Sequence, residues 1–405
     1  MKQRIVFLIL SFFLLGCKDV GVNPPPPQMR PLSISELRLV QANGKFWLKL
    51  FKEIDRADAD KNVFISPLSI SFALGMTLNG ANGSTLDSMR ATLEFAGMPT
   101  QEINESYKSL MQLLTTADPS VRMQIANSIW YRNTFSVEKE FMDVNKTYFD
   151  AVVSALDFSK SDAATIINGW VNQKTNGKIP TIVQPPINPL TVMYLINAIY
   201  FKGVWTSQFK KEDTRDDLFT LRNGSKVPCK MMNQEATFRY YSSDKLAAID
   251  LPYGHKFFSM TIILPRPDVD VSAFLATFQA SDWDNVIAGF REENIPLSLP
   301  RFKLEYDKGL IEPLKALGME IAFDPDRADF TRINRNGELF INEAKHKTFV
   351  EVNEEGTEAA AVTSIGIGRT STPAPFRIDR PFIFVIRERT SGAILFAGKI
   401  LNPAG

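Results

Sequence analysis

The residues best suited to chemistry are scarce: two histidines, His255 and His346, and two cysteines, Cys17 and Cys229. A hydrolase needs an activated nucleophile, a base and oxyanion donors, and a metal enzyme needs clustered ligands. The chain contains no Gly-x-Ser-x-Gly, His-Glu-x-x-His or Cys-x-x-Cys pattern, no Walker-type glycine loop and no Gly-x-Gly-x-x-Gly following a strand pattern. His255, beside Tyr253-Gly254, reads as a surface turn residue, and His346, within a strand-like run, as a structural hydrogen-bonding group. No catalytic residue, metal site or cofactor is expected, and the chain does not read as an enzyme.

The unusual stretch is 354–375: Glu-Glu-Gly-Thr-Glu-Ala-Ala-Ala-Val-Thr-Ser-Ile-Gly-Ile-Gly-Arg-Thr-Ser-Thr-Pro-Ala-Pro. It opens like a strand hinge and closes like an exposed loop. The residues alone leave a second reading open, a helix start over 357–361 followed by a surface loop.

The chain of 405 residues, 44% apolar, is long enough to fill a large core. Its 46 basic and 45 acidic residues give a formal charge of +1, which excludes the electrostatic footprint of a nucleic-acid binder. Lys2 and Arg4 followed by the apolar run 5–15 have the form of a secretory signal, too short to span a bilayer. The run ends in Leu14-Leu15-Gly16-Cys17, which resembles a bacterial lipobox. Residues 1–16 are therefore expected to be removed and Cys17 to be acylated, anchoring the protein without a spanning helix. Cys229 is then the only other thiol, so no intramolecular disulfide can form. Lys18 after the cysteine favours the outer membrane or cell surface of the envelope.

Residues 17–33, with Pro24-Pro25-Pro26-Pro27, form a stiff tether. Ser33-Ile34-Ser35-Glu36 is a capping-box pattern ahead of Leu37, Val40, Phe46, Trp47, Leu50, Phe51 and Ile54, so an amphipathic helix opens a single domain over 34–405. Helical segments continue to about residue 188. Strand-like runs occupy 192–201, 260–264, 295–304, 349–352 and 382–386. The pattern predicts an α+β fold round a large sheet, without repeats.

The stretch at 354–375 resembles the hinge of the serpin family, in Gly356, Thr357, Ala359, Ala360 and Ala361, and the likeness extends over nearly all of the chain from Leu37. Asn62-Val63-Phe64-Ile65-Ser66-Pro67-Leu68-Ser69-Ile70, Thr175-Asn176-Gly177-Lys178-Ile179 and Asn197-Ala198-Ile199-Tyr200-Phe201-Lys202-Gly203-Val204-Trp205 are family-like blocks in family order. Leu251-Pro252-Tyr253, Leu299-Pro300-Arg301-Phe302, Asp379-Arg380-Pro381-Phe382 and Leu395-Phe396-Ala397-Gly398 continue the match.

The resemblance implies a serpin fold: a large central sheet, smaller sheets, about eight or nine helices, and a metastable state with an exposed reactive-centre loop at about 354–376. It implies a suicide inhibitor of serine and possibly cysteine endopeptidases, which cleave the loop and are trapped as it inserts into the sheet. The hinge would be Glu355, Gly356, Thr357, Glu358, Ala359, Ala360 and Ala361. In an inserted strand Thr357, Ala359, Ala361, Thr363, Ile365 and Ile367 share the inward face, none charged, and Glu358 faces solvent. Ser66, Ser69, Asn197 and His346 match a polar cluster where strands part, and Trp205 the aromatic where insertion begins.

The same resemblance places the cut bond at Thr370-Ser371, or one residue earlier at Arg369-Thr370. The first suits elastase-like or subtilisin-like proteases and the second trypsin-like ones. Expected partners are such proteases and, through the anchor, a membrane. A cofactor-independent monomer is expected, protecting the bacterial surface; the alternative is a non-inhibitory serpin acting as a binding or chaperone-like lipoprotein.

Overall fold

A computed structural model describes residues 29–357 and 375–404. Its helices are α1 (Ile34–Ala57), α2 (Pro67–Leu78), α3 (Gly83–Thr92), α4 (Thr100–Thr116), α5 (Lys139–Phe149), α6 (Ala163–Lys174), α7 (Val271–Thr277), α8 (Ala280–Gly289) and α9 (Ile311–Leu314). The front sheet is built from β2 (Arg122–Arg132), β3 (Val152–Leu156), β4 (Met193–Val204), β10 (Phe302–Gly309), β11 (Lys345–Val352) and β12 (Gly356–Thr357), in the order β10-β11-β12-β4-β2-β3. The rear sheet comprises β1 (Val63–Ile65), β5 (Arg215–Thr220), β6 (Lys226–Ser242), β7 (Leu246–Tyr253), β8 (Phe258–Pro265), β9 (Arg291–Pro300), β13 (Phe376–Arg377), β14 (Phe382–Glu388) and β15 (Ile394–Ile400). None of the described helices is long and apolar enough to cross a membrane.

Helix α1 starts where its sequence places it. Ser33 Oγ accepts from the Glu36 amide while the Glu36 carboxylate accepts from the Ser33 amide. Its buried stripe runs through Leu39, Val40, Phe46, Trp47, Leu50, Phe51 and Ile54. Leu37 is an exception, 44% exposed on the outer face of the first turn. Arg30, just before the helix, bonds Glu36 and reaches Ser109 Oγ on α4 at 2.6 Å. The Arg30 guanidinium, and after it the bonds from Ser109 and the Ser33 amide, outweigh the cost of burial and hold the Glu36 carboxyl down at about 2.

Helix α2 is apolar all round, and every residue of it except Ala73 is buried, as befits a helix with protein on all sides. It lies between the two sheets. Ser66, its N-cap, donates to the Leu395 carbonyl on β15 at 2.7 Å, and Ser69 faces the Asn197 carbonyl on β4 at 3.4 Å.

Two expectations are revised. The run 295–304 is not one strand: it breaks at Arg301, so β9 ends in the rear sheet and β10 begins in the front one. The apolar set changes phase across Arg301, from Ile295, Leu297 and Leu299 to Phe302 and Leu304, and the Arg301 side chain turns to Glu354 beyond the end of β11. Helices also continue past residue 188, as α7, α8 and α9. They are 7, 10 and 4 residues long, too short for a clear apolar period.

Candidate functional site

Strands β2 and β4 pair over ten antiparallel rungs and β10 and β11 over eight, giving the front sheet two firm halves. Among the described residues no rung joins β4 directly to β11; the two-residue strand β12 stands between them, pairing Val352 with Thr357, Gly356 with Val204 and Thr357 with Gly203. Beneath β12 lies a cavity of about 260 Å³, lined by β4 residues including Leu195 and Asn197, by β11 residues including His346 and Thr348, and by Ser66, Ser69 and Ile70 of α2 and its cap.

The chain enters β12 through a side-chain-stabilised turn. Asn353 Oδ1 accepts from the amides of Glu355 and Gly356 at 3.0 and 3.3 Å, and the Asn353 amide donates to the Gly356 carbonyl at 3.0 Å. Gly356 has φ +150°, and a Cβ there would lie 2.1 Å from the Gly203 carbonyl oxygen. Only glycine permits the backbone to lie so close to β4. Thr357 is 3% exposed and its hydroxyl meets that of Tyr253 at 2.7 Å, so its side chain points inward as the alternation requires.

Trp205 closes the head of this site. Its ring stacks on Tyr253 with centroids 4.4 Å apart and planes 13° apart, its Nε1–H donates to the Asn353 carbonyl at 3.0 Å, and its amide donates to the Glu355 carbonyl at 2.9 Å. Burial pushes the Tyr253 phenol up, keeping it a neutral hydrogen-bonding group.

Glu354 is 1% exposed yet charged. Burial works against ionisation, but Arg301, with Nε at 2.7 Å, and the Thr214 hydroxyl outweigh it and hold the carboxyl below its usual range. Glu355 faces outward and pairs with Lys211 at 2.7 Å. The base of the loop is thus fixed by a buried carboxylate on one side and a surface pair on the other.

Ser66, Ser69, Asn197 and His346 are brought together between the start of α2, β4 and β11. The Ser66 amide donates to His346 Nε2 at 2.8 Å, the Ser69 amide to Ser66 Oγ at 3.2 Å, and Asn197 Nδ2 to Asn127 Oδ1 at 2.8 Å. His346 is fully enclosed, and desolvation lowers its imidazole to about 4, so it is neutral and accepts rather than donates at Nε2. Asn197 Oδ1 is buried without a partner. His255 occupies the exposed turn predicted for it.

Glu358, Ala359, Ala360, Ala361, Arg369, Thr370, Ser371 and Cys17 lie outside the described residues. Past the loop, β13 runs parallel to β9, and Arg377 pairs with Asp217 and Asp379 at 2.5 and 2.9 Å. Sequence reasoning gave no role to Arg301, Tyr253, Thr214 or Lys211. The first two stand in the Leu-Pro-Arg-Phe and Leu-Pro-Tyr blocks, a signal that was present; Thr214 and Lys211 carried none.

The family model described as Serpin (serine protease inhibitor) matches residues 41–403. Human neuroserpin is 35% identical over 410 residues, covering 98% of this chain and 96% of the relative. Mouse leukocyte elastase inhibitor A is 34% identical over 380 residues, covering 90% of this chain and all of the relative. The structure of human thyroxine-binding globulin with its hormone superposes with a TM-score of 0.84 at 27% identity, covering 92% of this chain and all of the other. A nearly full-length family match, joined to a sheet split between β4 and β11 and a hinge seated at its head, shows that the chain belongs to the serpin family.

Proposed function

We propose that the protein is a suicide inhibitor of serine endopeptidases, and of some cysteine endopeptidases, held on the bacterial envelope by an acylated Cys17. A protease attacks the bond at Thr370-Ser371, or at Arg369-Thr370, and forms an acyl-enzyme. The freed loop then extends β12 down between β4 and β11, carrying the protease away from its point of attack. Distortion of the protease's oxyanion hole stalls deacylation. The observation that carries this reading is the position of Gly356 and Thr357, already hydrogen-bonded at the head of a cleft that a longer strand would fill. The uncharged run from Ala359 to Ala361 supports it, since inward-facing residues of such a strand must be small or apolar.

Elastase-like and subtilisin-like targets follow from Thr370, and trypsin-like ones from Arg369. The anchor and the Pro-rich tether would hold the loop at the cell surface, where it protects against host or competitor proteases. Incubation with elastase, subtilisin and trypsin tests the reading, followed by denaturing electrophoresis and mass spectrometry of the released C-terminal peptide. A covalent complex with a peptide beginning at Ser371 or Thr370 is expected and identifies the bond. Cleavage without a complex by all three would overturn inhibition and favour a binding role, the reading suggested by the likeness to thyroxine-binding globulin.

A further inference from the structure

Tyr253, which holds Thr357 and stacks on Trp205, stands at the start of the turn joining β7 to β8. That turn is fixed to the end of β4 by the Gly254 amide on the Val204 carbonyl at 2.8 Å and by the Thr206 amide on the Pro252 carbonyl at 2.9 Å. On its other side stands Asp118, in the connection from α4 to β2. Asp118 is 3% exposed. Its Oδ1 accepts from the Ser120 amide at 2.9 Å, the Ser120 hydroxyl at 2.6 Å and His255 Nδ1 at 2.8 Å, and its Oδ2 from the His255 amide at 2.8 Å.

A buried carboxylate is tolerated only when its oxygens are saturated with donors. Here burial opposes the charge, while the bonds from Ser120 and His255 outweigh it and hold Asp118 below the usual carboxylate range. The fit is close: Gly254 has φ +47°, and a Cβ on it would lie 2.0 Å from Ser120 Oγ. The turn therefore cannot shift toward β2 without collision, nor away from it without stripping the two His255 bonds from a buried charge. The segment holding it leads directly into β2, which pairs with β4 over ten rungs.

We infer that Asp118 and His255 are positioning residues for the hinge, fixing the 253–256 turn so that Tyr253 presents its ring to Trp205 and its hydroxyl to Thr357. The inference deepens the inhibitory reading and rests on it only for the consequence that trapping becomes leakier when the turn is loosened.

The test is hydrogen exchange on the full chain. It reads the protection of the Trp205 amide, bonded to Glu355, and of the Asn353 amide, bonded to Gly356. His255→Ala is expected to lower protection at both roughly threefold. His255→Asn, which keeps a donor near the Nδ1 position, should restore the protection. Asp118→Ala should lower it roughly tenfold, because buried donors lose their acceptor. Unchanged protection at Trp205 and Asn353, with loss confined to Ser120 and His255, overturns the inference. If Asp118→Ala does not fold, the two His255 variants decide alone. Loss of protection in a chain that forms no covalent protease complex would sustain the positioning role while removing the inhibitory reading; unchanged protection with normal complex formation would do the reverse.

Discussion

The phenolic oxygen of Tyr253 and the hydroxyl oxygen of Thr357 lie 2.7 Å apart in the interior, so the first residue of the loop to face the core is bonded from behind the sheet. Each hydroxyl satisfies the other in a space that admits neither a charge nor a bulky side chain. Tyr253→Phe leaves the Thr357 hydroxyl buried and unpaired, a loss of about 1–2 kcal/mol. Urea unfolding of the two proteins measures it, and equal midpoints would show that the hydroxyl finds another partner.

Thr357→Arg places a guanidinium where the threonine is 3% exposed. Under the proposed mechanism the loop can still be cut, but the cleaved strand must bury an unpaired charge before it can advance. Complex yield with a protease that the unaltered protein traps should fall by an order of magnitude or more for each ~1.4 kcal/mol added to the insertion barrier. Cleavage should continue, and quantitative gel densitometry separates the two products. An unchanged yield would mean that the strand enters without passing this point.

Glu354→Lys removes the partner of Arg301 and sets a second cation beside it. The carboxylate is buried although Arg301 is 42% exposed, so this change costs more than the loss of the pair between Glu355 and Lys211. Glu354→Gln, which keeps the shape and one acceptor, should lose less. Denaturant midpoints of the three proteins and of Lys211→Ala give the order; a Lys211→Ala loss as large as that of Glu354→Lys would contradict it.

His346 gives a pH dependence whose sign is fixed by its burial. Its imidazole is lowered from 6.5 to about 4, so the unfolded chain takes up a proton before the folded protein does. The stability it contributes is complete above about pH 6.5 and is lost as pH falls toward 4, by on the order of 3 kcal/mol. Protonation also displaces the Ser66 amide from Nε2. His346→Gln should flatten the stability profile across this window in chemical denaturation. A profile as steep as that of the unaltered protein would assign the dependence to carboxylates.

Much of this site was legible because its parts are local or carry the family's blocks. The Ser33–Glu36 cap follows from spacing, and the inward turn of Thr357 from alternation along the strand that the resemblance implies. Ser66 and His346, 280 residues apart, were associated only through the resemblance, and the contact between them is direct. The break at Arg301 was missed although a local signal was present, the change of phase from Ile295, Leu297 and Leu299 to Phe302 and Leu304. Asp118 and His255 were invisible as a pair: 137 residues separate them, and neither sits in a pattern that demands the other.

The two rungs that β12 makes with β4 act as a starting frame for everything that follows them. Gly356 opposite Val204 and Thr357 opposite Gly203 fix the count, and a strand lengthened without a bulge must keep it. Under the proposed insertion Glu358 would then stand across from Lys202 on the solvent side, opposite in sign. Five steps further on, Thr363 would arrive across from Asn197, whose Oδ1 now lacks a donor. The incoming strand does not have to search for alignment: its first two residues have already chosen it, and an error of one place would turn Glu358 toward the core.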